Sequence, residues 1–312
     1  MIEAGLIAAR FLHVTAAMAL FGLALFPLYS LPSGTNAWPA GVGHWLRASM
    51  RCATLLGLLS ALAWAWFAIA GMTGTMMAAA DAGSLFTVLR ETSFGRVWAA
   101  RLALGAVLLT LILRRSNEHH RDWTVVSLAG LLLVSLALVG HTQASDGALW
   151  IVHMSADGAH LLAAGAWLGG LLALGHLLML VRRVPSAEQN AQGVVALVRF
   201  SGMGYAAVAA LIGSGLVNAW VLVGSPGKLT TTPYGQLLLM KLCLFAGMLA
   251  LAARNRFRLV PALQRSQQSC PAAESSLWML RRNVLGEQML GLAIVLIVGW
   301  LGTLQPAVTA SQ

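Results

Sequence analysis

Long apolar stretches separated by short polar connections recur from one end of the chain to the other. Each approaches the roughly 20 helical residues needed to cross a hydrocarbon core of about 30 Å. Eight are predicted: Leu6 to Tyr29, Cys52 to Met77, Val97 to Leu113, Trp123 to Gly140, Trp150 to Val181, Val194 to Val223, Gly235 to Ala253 and Val284 to Leu304. The longest polar connection, Arg254 to Arg282, is basic and belongs at a membrane surface. The fold class is therefore all-α: a polytopic membrane protein of eight transmembrane helices.

The polar positions between these stretches carry the topology. Arg47 and Arg51 precede the second stretch, Arg114, Arg115 and Arg121 follow the third, and Arg182, Arg183 and Arg199 flank the connection from fifth to sixth. Arg254, Arg256, Arg258, Arg265, Arg281 and Arg282 crowd the connection from seventh to eighth. Cationic connections stay on the cytoplasmic side, so both termini and the connections 78–96, 141–149 and 224–234 are expected to face the periplasm.

The pattern also repeats. His13-V-T-A-A-M-A-L-F-Gly22 and His160-L-L-A-A-G-A-W-L-Gly169 both read H-x-x-A-A-x-A-x-x-G. Thr92-S-Phe94-Gly95 leads to Arg101-Leu102 and Arg114, as Thr232-P-Tyr234-Gly235 leads at the same offsets to Lys241-Leu242 and Arg254. A weaker match pairs Arg47-A-Ser49 with Arg199-F-Ser201. Two parallel four-helix repeats are expected, residues 1–145 and 146–312, related by an axis along the membrane normal, with equivalent residues at equal depth.

Within the fifth stretch His153, Asp157 and His160 stand at i, i+4 and i+7, on one helix face. Ionisable groups are costly in hydrocarbon and mark sites or ion paths. With His13 as the counterpart of His160, and Arg101 and Lys241 as counterparts of each other, the repeat suggests a cavity open outward with two histidines and two cations on its walls.

Composition narrows the classes. Hydrophobic residues make up 58% and charged residues 10% of the 312, which excludes an ordinary soluble domain. The net charge of +10 reports topology, because its cations sit at span ends, and not nucleic-acid binding. Glu3, Arg10 and His13 make the first stretch a retained span and not a signal peptide. Cys52, Cys243 and Cys270 are odd in number and lack C-x-x-C spacing, so neither a disulfide framework nor a zinc site is expected. The string Gly224 to Leu229 departs from the P-loop pattern, and no ATP-binding domain or phosphorylated-aspartate motif is visible.

The remaining polar residues suit copper. Thioether and imidazole favour Cu(I), imidazole and oxygen Cu(II). Met72, Met76 and Met77, together with His141, His153 and Met154, lie on the expected outer side as an entry site, and Asp157, His160 and His13 lie below it. The methionines equally suit flexible packing. Asp157 would hold the His160 tautomer or serve as an oxygen ligand. Arg101 and Lys241 would pair with Asp157, Glu91 or Glu287, snorkel to the interface, or neutralise the propionates of a haem b held between His13 and His160. His44, His119, His120 and His176 fall on the cytoplasmic side, as surface or interfacial residues.

One series of motifs is familiar. His160-L-L-A-A-G-A-Trp167-L-Gly169-Gly170-Leu171, Arg199-Phe200-Ser201, Gly215-L-V-Asn218, Thr232-P-Tyr234-Gly235 with Lys241, Asn255-Arg256 before Pro261, and Arg282-x4-Glu287 resemble the CopD/PcoD copper-resistance family over residues 150–305. The resemblance implies eight spans in the bacterial inner membrane and copper uptake alongside a periplasmic copper-binding partner. The expected function is transport of copper ions from periplasm to cytoplasm, not enzymatic catalysis. The alternative is a bis-histidine haem b protein relaying electrons or reducing Cu²⁺.

Overall fold

The computed structural model describes residues 1–30, 41–114, 122–140, 147–183, 187–265 and 270–309. Its elements in order are α1 (Ile2–Ser30), α2 (Val42–Thr73), a 3₁₀ turn (Ala78–Ala80), α3 (Ala82–Glu91), α4 (Ser93–Arg114) and α5 (Trp123–Val134), which runs on as a 3₁₀ helix (Ser135–Val139). The second half holds α6 (Gly147–Arg183), α7 (Ala187–Val223), α8 (Lys228–Thr231), α9 (Pro233–Arg254), a π-helical segment (Asn255–Leu259), α10 (Val260–Arg265) and α11 (Cys270–Leu301).

Among the described residues seven helices are long and apolar enough to cross a membrane: α1, α2, α4, α6, α7, α9 with its continuation to Leu263, and α11. The eighth expected span is a shorter apolar rod, Trp123–Val139. Asp122 starts it as an N-cap, its Oδ1 accepting from the N–H groups of Thr124 at 3.0 Å and Val125 at 3.2 Å. Helix α3 lies within the connection expected to be an outer loop; its sequence AGSLFTVLRE is amphipathic, with Phe86 exposed.

Helices α4 and α9 begin in the same way. Thr92 and Thr232 each accept the N–H of a glycine three residues on, Gly95 at 2.9 Å and Gly235 at 3.0 Å. Each threonine hydroxyl also donates to a carbonyl four residues back, Val88 or Lys228. Arg101 and Lys241 stand eight residues after the starts of α4 and α9, so each lies about 12 Å along its helix.

Helices α1 and α6 are the most enclosed of the candidate spans, and α9 is the least. Their crossing is set by glycine. A Cβ on Gly22 would overlap the backbone of Gly165 and Gly169, and one on Gly169 would overlap Met18 and Gly22. Gly22 and Gly169 end the two copies of the repeated motif, so equivalent positions touch each other directly. Gly165-A-W-L-Gly169 is a G-x-x-x-G sequence, the spacing that lets helices approach closely where no hydrophobic drive separates protein from lipid. Around this pair one core gathers α1, α2, α4 and α5, with Trp98 and Leu133 fully enclosed. A second gathers α6, α7, α9, α10 and α11 against the ends of α1 and α2.

Candidate metal site and its closed counterpart

In the first half all four helices converge on His13, which is 3% exposed. Its Nδ1 lies 2.9 Å from the Gly57 carbonyl and 3.3 Å from Ser60 Oγ, both on α2. A carbonyl only accepts, so these partners assign the proton to Nδ1. Nε2 is then an acceptor, and Arg101 Nη2 on α4 donates to it at 2.6 Å. Arg101 Nη1 donates to the Leu132 carbonyl of α5 at 2.8 Å and to Ser135 Oγ. The Trp64 and Trp98 rings stand 5.7 and 5.6 Å from the imidazole, and Trp98 Nε1 donates to the Ala61 carbonyl at 2.9 Å. A cavity of about 20 Å³ borders His13 and Arg101, between Ala16, Ala53, Gly57 and Leu132. That is room for about one water.

The second half builds the same frame and leaves it open. His160 Nδ1 on α6 lies 3.0 Å from Ser214 Oγ on α7, and the serine spends its own proton on the Ala210 carbonyl. Ser214 therefore accepts from Nδ1–H, and His160 Nε2 is left as an unprotonated acceptor. Among the described residues no hydrogen bond reaches that nitrogen. One turn earlier on α6, Asp157 Oδ1 accepts from Asn218 Nδ2 at 3.3 Å and lies within electrostatic reach of Lys241 and Tyr234 on α9. Lys241 also lies within electrostatic reach of His160. Asn218 Oδ1 is buried with no hydrogen-bond partner among the described residues. His153, 2% exposed, stands on the same α6 face one turn before Asp157.

Both histidines thus turn toward α2 or α7 and not toward lipid. Arg101 is 2% exposed, so it does not snorkel, and its partners are an imidazole, a carbonyl and a hydroxyl in place of the carboxylate expected from sequence. Ser214 and the Leu211 backbone are the hydrogen-bond partners of His160, while Asp157 accepts from Asn218.

A third polar group lies deeper. Glu287 on α11 is 2% exposed; its Oε1 accepts from Asn255 Nδ2 at 2.7 Å and its Oε2 from Trp167 Nε1 at 3.3 Å. Asn283 Nδ2 donates to Asn255 Oδ1 at 2.8 Å. Trp167 falls seven residues after His160, on the same α6 face and about 10 Å further along it.

At and just beyond the C-terminal end of α2, Met72 and Met77 are exposed, whereas Met76 packs with Ile69, Ala70 and Ala79. His141, His119 and His120 lie outside the described residues. His176 stacks on Trp45 with ring centroids 3.9 Å apart, and His44 is exposed. No cluster of three or more His, Cys, Asp or Glu side chains is assembled among the described residues.

Residues 194–301 match the family model described as copper resistance protein D, and residues 1–151 match that of the copper resistance protein D-like N-terminal domain. The chain is 31% identical over 312 residues to copper resistance protein D of Pseudomonas syringae pv. tomato, covering 98% of both chains. The chain belongs to the copper resistance protein D family. It is also 31% identical to inner membrane protein YebZ of Escherichia coli (strain K12), over 96% of this chain and 98% of the relative. Copper transport protein CutJ of Bacillus subtilis (strain 168) is 32% identical over 55% of this chain and 32% of its own. No solved structure matches the chain.

Within this family member, a haem does not fit the residues around His13: both ring nitrogens are bonded and the adjoining cavity is one water in size. Two features of the site escaped the sequence reading. Ser60-A-Leu62-A-W-Ala65-Trp66 and Ser214-G-Leu216-V-N-Ala219-Trp220 share S-x-L-x-x-A-W. This register, two residues from the R-x-S match, is the one that brings each serine to its histidine. The same registers align Arg10 with Asp157 and Trp64 with Asn218. In the first half Arg10 lies over the Trp64 ring at 4.7 Å and donates to the Gly302 carbonyl at 2.5 Å. In the second half those two positions carry the carboxylate and the amide.

Proposed function

We propose that this chain transports copper ions across the bacterial inner membrane, from the periplasmic to the cytoplasmic side, through a site in its second half. The observation that carries this reading is the contrast between the histidines. His13 is bonded at both nitrogens, while His160 has Nδ1 held by Ser214 and Nε2 without a hydrogen bond among the described residues. A metal-binding histidine is oriented in this way, its second nitrogen donating to a fixed acceptor. Asp157 and the orphaned Asn218 Oδ1 supply oxygen atoms one turn away. Membership of the copper resistance protein D family, and the names copper resistance protein D and copper transport protein CutJ carried by relatives, supply the cargo.

In this reading two four-helix units, residues 1–145 and 146–312, share one ancestral frame. The first is closed by Trp64, Trp98 and Arg101 into a buttress, and the second keeps the chemistry. Copper reaches the exposed Met72 and Met77 from a periplasmic copper-binding partner, passes His141 and His153, and descends α6 to Asp157 and His160. Weak neighbouring sites let an ion exchange ligands and leave. The outward placement of both termini rests on the cations at the cytoplasmic ends of α2, α4, α6 and α9.

The test is copper accumulation in cells that produce each variant at equal membrane abundance. His160→Ala abolishes it and Asp157→Asn reduces it. Unchanged accumulation in His160→Ala removes the α6 route.

A further inference from the structure

Glu287 plays no part in that route as drawn, yet it is the most enclosed acidic side chain described in the chain. It sits mid-way along α11 and accepts hydrogen bonds from two neutral donors, Asn255 and Trp167. Among the described residues no cation bonds to either oxygen, and Lys241 of α9 stands fourteen residues before Asn255, about 21 Å along the helix. From α9, Arg254 turns to Met279, and just beyond it Arg256 turns to Tyr205 of α7. On α11 itself Arg282 lies over Trp278, and Arg281 is a turn and a half away along the helix. On α1 the cation facing α11 is Arg10, at the far end beside Gly302. On α6 the flanking ionisable groups are His160, two turns before Trp167, and His176, nine residues after it and stacked on Trp45, and α10 carries one cation in its sequence, Arg265, at its end.

A carboxylate in a spanning segment without a cation is strongly disfavoured, and such a group takes up a proton or another cation. Neutral donors on both oxygens keep the anion tolerable, so the group can exist in either state. The backbone is adapted to this arrangement. The π-helical segment begins at Asn255, and π-bulges inside α-helices are frequent at functional sites. The Asn255 amide reaches Glu287 and is itself held by Asn283.

We propose that Glu287 is a reversible proton-binding site, cradled by Asn255, Asn283 and Trp167, whose loading and unloading accompanies copper passage along α6. The proton adds to Oε2, the oxygen with the longer bond, giving the neutral acid, and leaves again toward the cation-rich end of the bundle. The link runs through Trp167, which shares the His160 face of α6 and touches Glu287. The second clause of this proposal rests on the transport reading; the first does not.

Two measurements on the full chain separate them. Infrared difference spectra of the protein in lipid, titrated across the neutral range, show a protonated-carboxyl carbonyl band that is lost in Glu287→Gln and moves in frequency in Glu287→Asp. Identical bands in all three proteins, or a band that answers to Na⁺ and not to pH, overturn the proton site. In proteoliposomes supplied with Cu(I) under reductant or with Cu(II), an imposed pH gradient changes copper flux in the wild type, and Glu287→Gln retains flux but loses that response. An equal response in Glu287→Gln overturns the coupling. A wild type with the titrating band but no copper flux overturns the transport reading and leaves the proton site standing.

Discussion

At the residue scale, two histidines in matching positions have different hydrogen-bond partners, and substitution separates them. His13→Ala leaves the Arg101 guanidinium buried against Trp98 without its imidazole acceptor, at a cost of about 3 kcal/mol. The expected outcome is a lowered thermal midpoint in detergent together with reduced membrane abundance. His160→Ala removes a group whose Nε2 bonds to nothing among the described residues, and its thermal midpoint stays close to wild type while copper binding is lost. Ser214→Ala tests the orienting bond more finely. The Leu211 backbone is then the one partner left to hold the imidazole, its orientation loosens, and copper affinity falls about 10- to 100-fold at unchanged stability. Titration of copper against the purified variants reads this directly. Equal affinity in Ser214→Ala and wild type would remove the serine from the site.

At the element scale, the bundle depends on how closely α1 and α6 cross and on how α4 and α9 start. Gly169→Leu places a side chain against the backbone of α1, which cannot move aside as a flexible side chain can, and the cost exceeds about 3 kcal/mol. Loss of folded protein on size-exclusion chromatography is the expected result, whereas the same change at Gly202, which meets nothing within 4 Å, is tolerated. Thr232→Ala removes an N-cap and costs about 1 kcal/mol. These elements also show what sequence periodicity can carry. The repeated T-x-F/Y-G motif encoded the two caps, and six residues from glycine to cation encoded their matching position along the helix, because both are local and helical. The Ser60 and Ser214 contacts were harder to read, because the R-x-S match suggested a register two residues away and only the packing of α2 on α1 and of α7 on α6 selects between them. Glu287 was visible as a polar residue in a span, but its partners were not, since Asn255 and Trp167 come from two other helices and only packing brings them to it.

At the scale of the whole molecule, the short rod α5 decides the topology. Seven long helices alone would place the termini on opposite sides. The α-helix Trp123–Val134 covers about 18 Å, and its 3₁₀ continuation Ser135–Val139, rising more per residue, adds about 10 Å. Together these reach about 28 Å, close to the roughly 30 Å of hydrocarbon core. The rod's packing supports a crossing: Leu133 is fully enclosed, and the Leu132 carbonyl and Ser135 hydroxyl hold Arg101. If α5 crosses, its two flanks lie on opposite faces and both termini share the periplasmic side with residues 141–149. Single cysteines at Arg121 and Ala148, in a chain whose own Cys52, Cys243 and Cys270 are replaced by Ala, test this in intact spheroplasts. A membrane-impermeant maleimide is expected to label Ala148→Cys at once and Arg121→Cys only after permeabilisation. Labelling of neither before permeabilisation would show that α5 turns back within the membrane, which would move the second half's outer face to the cytoplasm and reverse the direction of the copper route.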